Sequence, residues 1–184
     1  TSKVKENLRP NDADLMRIDE LTECINNFSV TGFVELGFRI PRLLDHFTRV
    51  YDCPSWGYDI VPLNVSVANK LGYDARIYDL DACDGDLDLS GATLVSAYHV
   101  LEHVSDPLTA IQKIYSSLDS GAIFHVEIPI EPGEPRIEFG HLFAFEEGDL
   151  RQLLETSGFR VINFSNSTRS GGPQIERCIA VREN

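Results

Sequence analysis

The segment Leu94-Val-Ser-Ala-Tyr-His-Val-Leu-Glu-His-Val-Ser-Asp-Pro107 limits what this chain can fold into more than any other. It opens as an apolar, β-branched run suited to a strand buried on both faces. It then passes into polar positions holding His99, Glu102 and His103, and it ends at Asp106-Pro107, a helix-start signal. An apolar strand that runs into ionisable residues just before a crossover helix is where open α/β sheets build binding sites. A second apolar strand, Gly121-Ala-Ile-Phe-His-Val-Glu-Ile-Pro129, follows one helix later.

The same alternation extends through the chain. Strands are predicted at 31–37, 56–60, 76–79, 92–97, 122–128, 159–165 and 175–182, and helices at 41–49, 62–71, 107–118 and 147–157. Gly72 and Gly158 stop two of these helices. Strands separated by helices of about ten residues imply a parallel sheet with right-handed crossovers and helices on both faces. The last two strands have only the turn-rich Asn166–Pro173 between them, so the final strand is expected to run antiparallel. Residues 1–30 predict a polar lead and a helical cap. Asn11 or Asp12 would cap that helix, and Leu15, Ile18, Leu21, Ile25 and Phe28 recur at helical spacing. With no linker or repeat, residues 1–184 read as a single α/β domain with its core over 31–182.

Composition narrows the partners. A formal net charge of −13 opposes binding to nucleic acid or to an anionic membrane, and no apolar run approaches membrane-spanning length. The four cysteines, Cys24, Cys53, Cys83 and Cys178, show no Cys-x-x-Cys pair, so neither a structural zinc site nor a disulfide framework is expected. With no secretory leader evident, this predicts a cytoplasmic protein acting on a small molecule.

The order "LEHV-x-D-P", helix, apolar "G-A-x-F-x-V-x-I-P" strand and a loop carrying Gly140-His141 resembles the second half of class I S-adenosylmethionine-dependent methyltransferases. The resemblance covers roughly residues 30–182. It implies a Rossmann-like, mostly parallel seven-stranded sheet with an antiparallel last strand. It also implies S-adenosyl-L-methionine as cofactor. The family's "[ED]-x-G-x-G-x-G" turn falls on Glu35-Leu-Gly37-Phe-Arg39-Ile-Pro41, where Arg39 and Pro41 replace the second and third glycines. The Arg39 side chain must swing clear of the ligand, or else pair with its carboxylate. Asp59-Ile60 stands where the family places an acidic residue on the ribose hydroxyls, about 20 residues after the glycine turn. Either Asp79-Leu80 or Asp81-Ala82 would read adenine. Ala97, Tyr98 and His99 would floor the cleft beneath the sulfonium.

Methyl transfer to an alcohol needs positioning and a group that removes the hydroxyl proton. His141, in the loop after the fifth strand, is the first candidate for this base and His99 the second; His46 and His125 read as structural. His99-Val-Leu-Glu-His103 also spells the H-x-x-E-H pattern of inverted zinc peptidases, but that motif needs a helix where this chain predicts a loop. Related sugar and catechol methyltransferases use a divalent cation, and Glu102, His103, Asp106 and Glu127 offer ligands for an ion such as Mg2+, or a solvated acidic rim.

The resulting expectation is O-methylation of a small polar acceptor such as a saccharide or natural product, near Tyr98, His99, Phe139, His141 and Phe145. A homodimer is one way to complete so short a chain's acceptor pocket. The alternative is a non-catalytic methyltransferase-fold protein that binds or regulates a partner, which the altered glycine turn favours. A nicotinamide-dependent oxidoreductase would need a stricter glycine pattern and usually a second domain.

Overall fold

The computed structural model describes residues 8–25, 29–82, 85–133, 135–168 and 174–183. Seven strands form one sheet: β1 (Phe33–Leu36), β2 (Ser55–Asp59), β3 (Asp74–Ile77), β4 (Leu94–Tyr98), β5 (Ile123–Ile130), β6 (Phe159–Thr168) and β7 (Gln174–Arg182). Their order is β3-β2-β1-β4-β5-β7-β6. β1 to β5 run parallel, and β7 lies antiparallel between β5 and β6. The expected topology, including the reversed last strand, is therefore the observed one.

Alternation along the strands builds two cores. Val34, Leu36, Val95, Ala97, Phe124 and Val126 pack with Ala110, Ile111 and Ile114 of helix α4 (Pro107–Ser117) and Leu150 and Leu154 of α5 (Asp149–Thr156). Their neighbours Phe33, Leu94 and Ile123 point to the other face. There they meet Leu43, Leu44 and Phe47 of α2 (Arg42–Tyr51) and Val65 and Ala68 of α3 (Pro62–Lys70). A strand covered on both sides is mostly apolar, and every residue of β5 is buried, His125 and Glu127 included. Pro129 is tolerated in β5 because its nitrogen faces the side of the sheet where β4 has already ended: β4 pairs with β5 only as far as Glu127.

Two expectations change at the ends of the chain. Helix α1 (Asp12–Cys24) is capped by Asn11, which exchanges side-chain bonds with Asp14 in a capping box. Its inward face is Ala13, Asp14, Arg17 and Leu21, and Leu15 is 45% exposed instead of buried. Ile18 and Ile25 only lean on the core from its edge. The helix turns its charges inward because they find partners on the sheet. β3 begins at Asp74 and ends at Ile77, two residues earlier than its polar sequence suggested, and β6 continues three residues further than expected. Phe28, Cys83 and residues 169–173 lie outside the described residues; Cys24, Cys53 and Cys178 are free thiols.

Candidate active site

The chain builds outward from β1 to β3 and then returns to place β4 beside β1. At such a reversal, the loops leaving neighbouring strands diverge and open a crevice at their carboxyl ends. A cleft of about 920 Å³ lies there, bounded by the loops after β1, β2, β3 and β4 and by one face of α1.

Its base is the turn after β1. Gly37 has φ +69°, and a Cβ at that position would stand 2.5 Å from Val100 Cγ2, so only glycine fits. Arg39 keeps the left-handed backbone that a glycine would have supplied there, with φ +44°. Asp59 at the end of β2 holds this geometry in place. Its Oδ2 accepts the Arg39 N–H at 2.8 Å, its Oδ1 accepts the Val61 N–H at 2.8 Å, and the Asn64 amide bonds both oxygens. Glu35, at the start of the turn, is buried with no partner for Oε2. Burial, reinforced by nearby Asp14, pushes its pKa well above the usual carboxylate range against the pull of Arg17 and Arg42.

On the β3 side, Asp81 is spent on the protein itself. Its carboxylate takes the Ser105 N–H and hydroxyl at 3.0 Å. Asp79 Oδ1 accepts the Asp81 N–H at 2.9 Å, and Asp79 lines the cleft beside the buried Leu80. Lys113 of α4 ties the same loop down through the Leu80 and Ala82 carbonyls.

Beneath the α1 side runs a buried ionic lattice. Arg17 donates to Glu127 of β5 and to Asp14, and its guanidinium lies 4.3 Å from the Tyr98 ring centre. Arg177 of β7 donates to the same Glu127 at 2.8 Å and to Glu20 of α1. Burial opposes ionisation of Glu127, but hydrogen bonds from His99 and Arg17 and the charges of Arg17 and Arg177 hold its pKa far below the usual range. His99, another left-handed residue (φ +55°), presents Nδ1 to Glu102 at 3.2 Å and Nε2 to Glu127 at 2.9 Å. Its burial alone would lower its pKa, yet the two carboxylates outweigh that and push it up to about 9. His99 is thus a clamped imidazolium with no lone pair to offer. The Tyr98 hydroxyl shares a 2.7 Å hydrogen bond with His125 Nδ1.

His141 sits outside the cleft proper, where the loop after β5 folds over the turn after β4. Its Nδ1 is 2.6 Å from Glu131 Oε2, and its ring stands edge-on to His103, with centres 5.0 Å apart. His103 lines the cleft and directs its Nδ1 to the Gly140 carbonyl at 2.9 Å.

The fold is shared with known proteins. The model of a family described as "Methyltransferase domain" matches residues 26–163. The chain belongs to this methyltransferase family. No curated protein sequence matches it. Among solved structures it is similar to the [4+2]-cyclase SpnF, at 15% identity and TM-score 0.73 over 95% of this chain and 85% of that one. It is also similar to Burkholderia thailandensis 1,6-didemethyltoxoflavin-N1-methyltransferase with its substrate and S-adenosylhomocysteine bound. The identity there is 15% and the TM-score 0.68, over 92% of this chain and 77% of that one. Magnesium protoporphyrin IX methyltransferase from Synechocystis PCC 6803, with bound SAH, gives 16% identity and TM-score 0.66 over 95% and 89%. The chain's fold is that of methyltransferases solved with S-adenosylhomocysteine bound.

Most residues read from the sequence come together in this methyltransferase cleft: Glu35, Gly37, Arg39, Asp59, Ile60, Asp79, Leu80, Asp81, Tyr98 and His99 all line it. Ala97 does not, because strand alternation turns its side chain into the α4–α5 core. Phe145 is likewise fully buried in that core and is no part of an acceptor surface. The oxygen-rich cation set does not assemble. Glu127 is enclosed by two arginines and His99, and Asp106 caps α4 through Thr109. Nor do His99 and His103 share a helix, since His99 precedes the short 3-10 turn Leu101–His103. Sequence reasoning missed Asp14, Arg17, Asn64, Glu131 and Arg177. The Asn11–Asp14 capping spacing was legible, but nothing local marks Arg17 or Arg177 as buried.

Proposed function

We propose that this methyltransferase transfers a methyl group from S-adenosylmethionine to a hydroxyl of a small polar acceptor, a saccharide or similar natural product. The observation that carries this reading is the buried Glu35 Oε2, which has no partner among the described residues and stands in the cleft beside the left-handed turn at Gly37. A buried acceptor atom without a partner is costly unless a ligand supplies a donor. Bound in the cleft, the cofactor supplies an electrophilic methyl carbon on sulfur. Glu35 would take its ammonium group, and the exposed Arg39 guanidinium its carboxylate. Asp59, still held by Arg39 and Val61 N–H groups, would accept from the ribose, and Asp79 with Leu80 would read adenine. Asp81 is already committed to Ser105.

The acceptor enters past His103 and His141, with Phe139 and Leu142 exposed at the rim. Removal of its proton depends on His141. Glu131 fixes the Nδ1–H tautomer, which leaves the lone pair on Nε2. His99 acts as a positioning residue, locking the β4 loop to β5.

Calorimetric titration with S-adenosylmethionine, with Asp59→Ala as control, tests the first half. Micromolar binding that the variant loses is expected, and no binding by folded protein would sink the enzyme reading in favour of a non-catalytic partner protein. Transfer of labelled methyl to a panel of saccharides and phenols tests the second half. His141→Ala should lower kcat by about 100-fold while leaving cofactor affinity within about twofold.

A further inference from the structure

Beside the cofactor cleft, three side chains bring potential metal-ligand atoms close together. Glu102 is 1% exposed, and its Oε1 bonds His99 while its Oε2 has no partner. A ligand atom from each of Glu102, His103 and His141 lies within 4.8 Å of the other two. What holds each ring fixes which nitrogen is left for a ligand. A carbonyl can only accept, so His103 Nδ1 carries the hydrogen it gives to Gly140 at 2.9 Å, and Nε2 is the remaining nitrogen. The Glu131 carboxylate fixes His141 in the same tautomer at 2.6 Å. Each imidazole therefore has one nitrogen pinned by an oxygen and the other free, the arrangement in which metal-binding histidines are oriented.

The scaffold brings the two segments together independently of any ion. Leu142 and Phe143 donate backbone N–H groups to the Glu102 carbonyl at 2.7 and 3.1 Å. Gly140 takes φ +78°, which turns its carbonyl onto His103.

We infer that Glu102, His103 and His141 form a binding site for a divalent transition-metal ion. Two imidazoles and one carboxylate suit Zn2+, Co2+, Mn2+ or Fe2+, whereas Mg2+ and Ca2+ prefer oxygen cages. Ligand atoms about 2.1 Å from a tetrahedral ion stand about 3.4 Å apart, so the triad closes on the ion by small side-chain rotations. His103, the exposed member, has the freedom to make them. Three protein ligands leave coordination positions open toward the cleft wall that His103 forms.

The consequence for the substrate rests on the methyltransferase reading; the metal site itself does not. An acceptor hydroxyl on the ion loses its proton to solvent near neutral pH, as metal-bound water does. The alkoxide oxygen then bonds the methyl carbon as the carbon–sulfur pair passes to sulfur. With the ion bound, His141 Nε2 is taken up as a ligand and solvent replaces it as the proton acceptor; acceptors with two adjacent oxygens are favoured because both can reach the ion.

The test uses untagged, chelator-stripped protein titrated with Co2+ alone. One equivalent should raise visible d–d bands and the melting temperature, with no competition from Mg2+. His103→Ala and His141→Ala should each weaken Co2+ binding by more than about tenfold, and Glu131→Gln by about tenfold. The site is overturned if no stoichiometric bands appear, or if both alanine variants, folded by circular dichroism, keep them. S-adenosylmethionine titrated into the same samples separates the two readings. Cobalt bound without cofactor binding refutes the enzyme and spares the site, while cofactor bound without cobalt does the reverse.

Discussion

Arg17 of α1 and Glu127 of β5 form a buried ion pair across 110 positions of sequence, with Nε 3.3 Å from Oε2 and a second, shorter bond from Nη2. It fastens the wall of the cleft to its floor. Glu127 also neutralises Arg177 and His99, so Glu127→Gln leaves three cations with one carboxylate each: Asp14 beside Arg17, Glu20 beside Arg177 and Glu102 beside His99. Leaving buried charge wholly uncompensated costs about 3–5 kcal/mol. Urea unfolding should show a loss that approaches that size. Arg17→Met should cost distinctly less, because Arg177 and His99 still satisfy Glu127. Its main effect should be weaker cofactor binding, as α1 loses its anchor over Tyr98. Equal losses from the two substitutions would show that the lattice does not centre on Glu127.

Gly37→Ala sets a Cβ 2.5 Å from Val100 Cγ2 at a backbone position of φ +69°. The two penalties are separable. Val100→Ala removes the clash and leaves the torsional cost of about 1 kcal/mol. Thermal melts of the two single variants and the double variant should show that Val100→Ala recovers part of the Gly37→Ala loss and never all of it. If the double variant is no more stable than the sum of the singles predicts, the valine is not the obstacle.

The parallel sheet was legible because strand and helix alternate along the chain, and one missing helix marked the reversed strand. The cleft residues were legible through the family resemblance, whose motifs fall on Gly37, Asp59 and Tyr98, where parallel strands end. Ala97 was misplaced because strand alternation decides between neighbours, and the sequence of β4 is apolar on both faces. The α1 face was hidden more deeply. Its buried Asp14 and Arg17 look like solvent-facing charges until Glu127 and Arg42 are brought to them by distant strands and helices. His141 carried no local mark of its partner, since Glu131 lies 10 positions away across an irregular loop.

Arg39 occupies a left-handed conformation, with φ +44°, at the position where the motif it resembles would have glycine. For an L-residue this costs about 1–2 kcal/mol, and glycine would return about 0.5–1 kcal/mol of that to unfolded-chain entropy. Arg39→Gly should therefore leave the urea midpoint nearly unchanged or slightly raised. If the exposed guanidinium pairs with the cofactor's carboxylate, affinity for S-adenosylmethionine should fall about tenfold, and its dependence on salt should weaken. Tighter binding in the glycine variant would mean that the side chain obstructs the cleft.

His125 supplies an acid-sensitive element in the core. It is completely buried on β5, bonded to Tyr98 through Nδ1, with Nε2 unpartnered among the described residues. Burial, together with Arg177 on β7 and Arg17 on α1, holds its pKa down to about 3, against the weaker opposing pull of Glu127. The unfolded chain titrates near the ordinary histidine value of about 6.5. Between those values the unfolded state binds the extra proton, so stability is full above about pH 6.5 and declines as pH falls toward 3. The slope is about 1.4 kcal/mol per pH unit. His125→Gln keeps a hydrogen-bonding group and removes the titration. The difference in unfolding free energy between wild type and variant, followed by urea titration in metal-free buffer, should be constant above about pH 7. Below about pH 6 it should shift in the variant's favour. A difference that stays flat down to pH 4 would mean that His125 takes its proton without unfolding the core.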